Sequence, residues 1–327
     1  MELVKHFNNL LTDTVNLPNW RLDQLGQRVD TLYGRLSNDA VLGDLVTDKT
    51  PQGSWAHRTI IKPQPDLEYD ADVLIHMKEN EAWANEKSKY LDAFDATFGA
   101  AGYHDREKKT RCVRVIYAND CHVDLVPYVM TQDGYHIINA ETGRWEDTNP
   151  GGFTEWMRER DEITNGNFRK VIRLMKFLRD HRTSFTDVPS IILVTMMGNR
   201  VNKWVPYSDP KAYENVPRTL VTIVESLDAW LQANPVRPSI EDPSSRGTTF
   251  DHRWKKDTTY SELRDCVHVV AQEMGVALAA TNYQVSLEKW QAILGDGFKG
   301  DAPTESTTNP FAPAAGGSSV SHSGRGG

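Results

Sequence analysis

At 327 residues, with 39% hydrophobic and 25% charged side chains, the chain is long enough for two lobes and too evenly mixed to be mostly unstructured. Its 37 basic and 45 acidic residues leave a net charge of −8, so any phosphate binding must come from a local cluster rather than from a generally basic surface. Three cysteines, Cys112, Cys121 and Cys266, have neither a CxxC nor a paired-His spacing, which argues against a disulfide framework and against a zinc ribbon.

The longest apolar stretch, from Ile191 to Met197, falls far short of the roughly 20 residues of a membrane-spanning helix. The opening MELVKHFNNLL has no continuous apolar region before a cleavage site, so a cytoplasmic protein is expected.

In chain order, residues 2–15 place Leu3, Phe7, Leu10 and Leu11 at helical spacing, and Leu22, Leu25, Val29, Leu32 and Leu36 continue the pattern after Pro18. From Gly53 the texture changes to short apolar runs at 72–77, 113–117 and 122–130, with a helical stretch at 80–98 between them. After the Asn-Pro-Gly-Gly turn at 149–152, helical patterns fill 167–181, 189–197, 213–233 and 260–280. The Pro, Gly, Ser and Thr of 300–327 cannot offset their ordering entropy by burial and predict a flexible tail. The expected class is therefore α+β: a mixed-sheet core with N-terminal helices over 1–160, a helical lobe over 161–299, and the tail over 300–327.

Asp70 and Asp72 stand two apart in EYDADVLIHM, just before a run suited to a buried strand. Strand residues i and i+2 share a face, so both carboxylates point one way and Ala71 and Val73 the other. Such a pair is either a solvated strand edge or a hard-cation site, and Mg²⁺ is the ion that keeps open positions for phosphate oxygens. In CHVDLVPYV, Asp124 interrupts an apolar run, and a carboxylate buried there needs either an Arg partner or a share in the same metal site. Gly53 and Ser54 precede them in GSWAHRT, where a glycine admits close approach of backbone amides to a phosphate and a hydroxyl can donate to it. Alone, that dipeptide is an ordinary turn; its order before the two Asp-bearing strands gives it meaning.

GSxxxxT, DAD and HVDLVPY in this order resemble the nucleotidyltransferase core of the polymerase-β superfamily, and more closely the CD-NTase family of bacterial CBASS anti-phage operons, relatives of the animal DNA-sensing cyclase. The resemblance covers most of 40–295 and is strongest over 51–130. It implies that Gly53 and Ser54 hold the donor triphosphate, and that Asp70, Asp72 and Asp124 hold two Mg²⁺ ions, with Mn²⁺ as the alternative. Glu68, on the same two-residue period, is a lesser candidate ligand. In FRKVIRLMKFLRDH, Arg169, Arg173 and Lys176 form a basic stripe that is ordinarily a solvated face; RLMK followed by PSIILVT is similar to the family pattern, which implies that Lys176 and Ser190, with Arg173, reach the donor phosphates.

The implied activity is template-independent joining of ATP and other NTPs into a cyclic di- or trinucleotide second messenger for a downstream effector, with release of pyrophosphate. A linear or RNA-tailing enzyme of the same superfamily is the alternative, disfavoured by the −8 charge, and a catalytically dead nucleotide-binding module is disfavoured by the complete acidic triad. The animal sensor's zinc-bearing DNA-binding insertion has no counterpart, so activation by double-stranded DNA is not implied. The terminal Gly-Arg-Gly-Gly resembles the ends of ubiquitin-like proteins, and some members of the family sit beside ubiquitin-activating-like and conjugating-like enzymes. Gly327 is accordingly expected as a conjugation point, unless the tail is only a floppy terminus.

Overall fold

The computed structural model describes residues 1–65, 67–256 and 258–300. The expected tail and the expected conjugation point at Gly327 lie outside the described residues.

Helix α1 (Val4–Leu10) continues into a wider π-helical turn at Leu11–Val15, and Pro18 opens α2 (Asn19–Ser37), which buries Leu25, Val29, Leu32 and Leu36 along one side. Strand β1 (Val46–Gln52) runs into a single helical turn, α3 (Gly53–Ala56), and then β2 (Tyr69–Lys78). The helix expected over 80–98 is shorter: a 3₁₀ turn at Glu81–Trp83, capped by Asn80, precedes α4 (Lys89–Ala100). Strands β3 (Arg106–Lys108), β4 (Val113–Tyr117), β5 (Cys121–Thr131), β6 (Gly134–Asn139) and β7 (Arg144–Asp147) complete a seven-stranded mixed sheet.

β2 and β5 are parallel neighbours at its centre, with β1 antiparallel outside β2. The other edge of β5 is divided between β4 and β6. Ala71, Val73 and Ile75 of β2 and Val123 and Leu125 of β5 share a core with α2 and α4, so the alternate residues face the opposite side, toward a cleft.

The cleft is closed by helices. Asn149 accepts a hydrogen bond from the Gly152 amide and starts α5 (Pro150–Ile163), with Pro150 at its first position, where no amide donor is needed. Then follow α6 (Phe168–Arg182), α7 (Ser190–Gly198), the short α8 (Val205–Ser208), α9 (Val216–Ala233), α10 (Thr259–Ala279) and α11 (Tyr283–Leu294). None of the described helices is long and apolar enough to cross a membrane.

The cores do not divide at residue 160. Phe7, Leu10, Phe153, Trp156 and Met157 belong to the helical core, whereas Leu17 and the α2 side chains belong to the sheet core. The reason is tertiary: Phe7 packs edge-on against Trp290 and Phe298, with ring centroids 4.8 and 4.9 Å away, so α1 is held by α11 and the segment that follows it rather than by its sequence neighbours.

Candidate active site

The Gly-Ser turn is fixed by the sheet. Gln52, the last residue of β1, lies opposite Asp72 in the antiparallel ladder, so Gly53 turns away directly beside the Asp72 carboxylate. Gly53 has φ +60, and a Cβ there would collide with Asp72 Oδ2. Glycine is thus required twice, for the left-handed backbone and for the room it leaves the carboxylate. Ser54 follows, and its carbonyl accepts from the Thr59 amide at 2.8 Å, closing the turn that GSWAHRT suggested.

Parallel pairing sets the acidic residues. Asp70 lies opposite His122 and Asp72 opposite Asp124, all on the cleft face. Arg114 of β4 is the antiparallel neighbour of Asp124 and grips it with two parallel bonds, Nε to Oδ1 at 2.7 Å and Nη2 to Oδ2 at 2.8 Å. His122 Nε2 sits 2.5 Å from Asp70 Oδ1. Burial opposes ionisation of Asp70, but the contact with His122 outweighs it and holds the carboxyl below its usual range, while the same contact raises the imidazole. Glu68 accepts from the Asn119 amide at 3.0 Å, with its second oxygen 3.4 Å from His122 Nδ1, which ties it to the turn between β4 and β5.

Asp72 is left without a hydrogen-bond or ion-pair partner among the described residues. Burial, together with the charges of Asp124 and Asp70, pushes its pKa up to about 6. As they stand, the acidic side chains do not converge on one point among the described residues, because Asp124 is turned to Arg114 and Asp70 to His122. Three carboxylates on two adjacent strands, one of them short of positive charge, are nevertheless a donor set suited to hard divalent cations.

Two cavities meet at Asp72. A cavity of about 320 Å³ brings together Gly53, Ser54, Asp70, Asp72, Lys176 and Ser190, six residues singled out from the sequence. Lys176 enters from α6 and donates from Nζ to the Thr59 carbonyl at 3.0 Å, joining the helical lobe to the Gly-Ser turn. Burial, helped by the Arg179 charge, lowers its pKa to about 8. His57, also in this cavity, is driven down to about 4 by burial and then by Lys176, so it is a neutral imidazole. The second cavity, of about 810 Å³, shares Gly53 and Asp72 with the first and adds Asp124, Arg111, Arg114 and Arg253.

Arg173 joins neither cavity. It donates from Nη1 to the Arg58 carbonyl at 2.7 Å and lines a space behind the Gly-Ser turn with Trp55 and Arg58. Residues three apart on a helix diverge by about 60°, enough to send Arg173 and Lys176 to opposite sides of one turn. Arg114 and Arg179 were not singled out from the sequence. The sign of Arg114 was present, a charge inside the apolar run CVRVIY that answers the charge inside HVDLV. Arg253 carried no local signal, since only the fold brings its loop to the sheet.

Residues 1–161 match the family described as the Second Messenger Oligonucleotide or Dinucleotide Synthetase domain. A cyclic AMP-AMP-AMP synthase from an Acinetobacter sp. is 24% identical over 263 residues, 79% of this chain and 74% of that protein. A c-di-GMP synthase from Roseivirga ehrenbergii is 28% identical over 152 residues, covering 45% of this chain and 40% of that one. Among solved structures, the Vibrio cholerae DncV cyclic AMP-GMP synthase in complex with nonhydrolyzable GTP superposes with a TM-score of 0.72 at 17% identity, over 91% of this chain and 97% of that one.

The mixed sheet with its helical lobe is the fold shared with that synthase, and the Gly-Ser turn and the paired Asp strands stand together on it as expected for a nucleotidyltransferase. The family match over residues 1–161 and the likeness to these synthases support a place for the chain in the CD-NTase family.

Proposed function

We propose that this protein joins nucleoside triphosphates, without a template, into a cyclic oligonucleotide second messenger of bacterial anti-phage signalling, releasing pyrophosphate at each step. The observation that carries this reading is the position of Asp72 and Asp124, side by side at the seam between two cavities, one of which is lined by the Gly-Ser turn and Lys176.

The donor triphosphate lies in the smaller cavity, against the amides of the Gly53 turn, the Ser54 and Ser190 hydroxyls and the Lys176 ammonium. The acceptor nucleotide lies in the larger one. Asp70, Asp72 and Asp124 would hold two divalent cations, Mg²⁺ in the first instance, which would supply the positive charge needed to activate the acceptor hydroxyl and to neutralise the departing pyrophosphate. Asp124 faces the acceptor side and orients the ribose hydroxyl; Arg114 holds that carboxylate in place on the strand. A linear product that turns round in the cleft presents its own triphosphate to the Gly-Ser turn and is closed by the same groups. The names of the two relatives, a cyclic AMP-AMP-AMP synthase and a c-di-GMP synthase, support a cyclic product. The reaction takes place in the cytoplasm, where its substrates are.

The test is incubation with the four NTPs and Mg²⁺, followed by phosphatase. A phosphatase-resistant oligonucleotide made by the wild type, and not by an Asp70→Ala, Asp72→Ala double variant that melts normally, is the expected result. A product that loses terminal phosphates to the phosphatase, leaving free ends, would replace the cyclase by a linear polymerase.

A further inference from the structure

We infer that Arg179 is a positioning residue for the donor triphosphate, acting through Ser190. The inference rests on the placement of the donor in the smaller cavity proposed above.

Arg179 lies near the end of α6 and lines that cavity together with Ser190 and Ile191. Its side chain is 13% exposed and held from three directions. Nε donates to Asp180 Oδ1 at 2.8 Å, and Nη1 donates both to the Val188 carbonyl at 3.0 Å and to Ser190 Oγ at 3.2 Å. The guanidinium therefore binds the loop between α6 and α7 to the first residue of α7.

The consequence for Ser190 follows from the valence of a hydroxyl. Its oxygen has one hydrogen to donate, and a lone pair is already occupied by Arg179, so the hydrogen must point elsewhere. No acceptor for it exists among the described residues, and the cavity is where it opens. The amides of Ser190 and Ile191, at the start of α7, also lack an acceptor there, and no side chain caps that helix. Three donors without an acceptor thus belong to residues that line one cavity, and a triphosphate oxygen there would supply what they lack. Lys176 offers charge from one wall; Arg179 sets the direction of the donors on the other.

The test is calorimetric binding of the nonhydrolysable analogue α,β-methylene ATP with Mg²⁺, and of adenosine as a phosphate-free control, to the wild type, Arg179→Met, Arg179→Lys, Ser190→Ala and the Arg179→Met, Ser190→Ala double variant. Each single loss should weaken the analogue about tenfold, as expected for one hydrogen bond to a charged group, and the double variant should be no weaker than the worse single one. Arg179→Lys should recover part of the affinity, and adenosine should bind all variants alike. If Arg179→Met is unstable, Arg179→Lys still decides, alone and combined with Ser190→Ala: it must weaken the analogue less than Ser190→Ala does, and the Arg179→Lys, Ser190→Ala pair must be no weaker than Ser190→Ala alone. Additive losses, or equal losses for adenosine, overturn the inference and leave the donor site standing. A wild type that binds no analogue overturns both.

Discussion

Asp72 has two carboxylates for neighbours and no partner of its own, which makes it the residue where function most plainly works against stability. Its pKa of about 6 stands above the ~4 of an unfolded Asp, so between those values the folded chain binds more protons than the unfolded one. Stability contributed by this group is therefore greatest at low pH, falls as the pH rises from ~4 to ~6, and stays low above that, by up to about 3 kcal/mol. Asp72→Asn should consequently melt a few degrees above the wild type at pH 7.5 in the absence of divalent ions, and should lose that advantage at pH 4. Added Mg²⁺ should raise the wild-type melting temperature more than that of the variant, while the variant makes no product. Equal melting of the two proteins at pH 7.5 would mean that Asp72 is not crowded as described.

The same residue shows what the sequence could reveal at this scale. Two-residue periodicity is enough to put Asp70 and Asp72 on one face, because a strand's side chains alternate whatever surrounds them. That Asp72 is the unpaired one depends on His122 and Arg114, which are brought there by strand pairing. Arg173 illustrates the limit: a stripe on a helix says which face a side chain leaves, not which side of a neighbouring turn it reaches.

At the level of elements, the ladder β2, β5, β4 sets Asp72, Asp124 and Arg114 in one row across three strands. The bidentate bond to Asp124 is the main reason the Arg114 pKa is raised. Replacing Arg114 by Met should leave Asp124 facing Asp72 with no cation, a cost of about 1–3 kcal/mol for a pair that is partly exposed. The variant should then be rescued by Mg²⁺ to a larger extent than the wild type gains from it, since the ion no longer competes with a guanidinium for Asp124. The measurement is the difference in melting temperature with and without Mg²⁺; the same shift in both proteins would show that Arg114 and the cation do not share Asp124. β2, β4 and β5 were legible because they are apolar runs buried in the sheet. β1 was not, because VTDKTPQ is a largely exposed edge strand in which even Pro51 is tolerated. The β6–β7 hairpin and α11 likewise lacked a long periodic run of their own and take their form from the elements they pack on.

Across the whole molecule, the smaller cavity belongs to neither lobe: Ser54 and Asp72 come from the sheet side, Lys176 and Ser190 from the helical side. Whatever loosens the helical core should therefore loosen nucleotide binding, even far from the cleft. Phe7 is a suitable probe, being fully buried between Trp290 and Phe298 at the opposite end of the chain's sequence. Phe7→Ala should cost about 3–5 kcal/mol by leaving a cavity in that core. Because α1 packs with the helical lobe, the loss should fall on that lobe: amide exchange should accelerate along α6, α7 and α11, whereas the β2 and β5 amides keep their protection. Affinity for an ATP analogue should drop with it, since Lys176 and Ser190 ride on α6 and α7. The contrasting change, Phe94→Ala in the sheet core, should accelerate exchange in α4 and the strands first. If Phe7→Ala instead speeds exchange evenly through both cores, the two lobes fold as one cooperative unit and the division seen in their packing has no energetic counterpart.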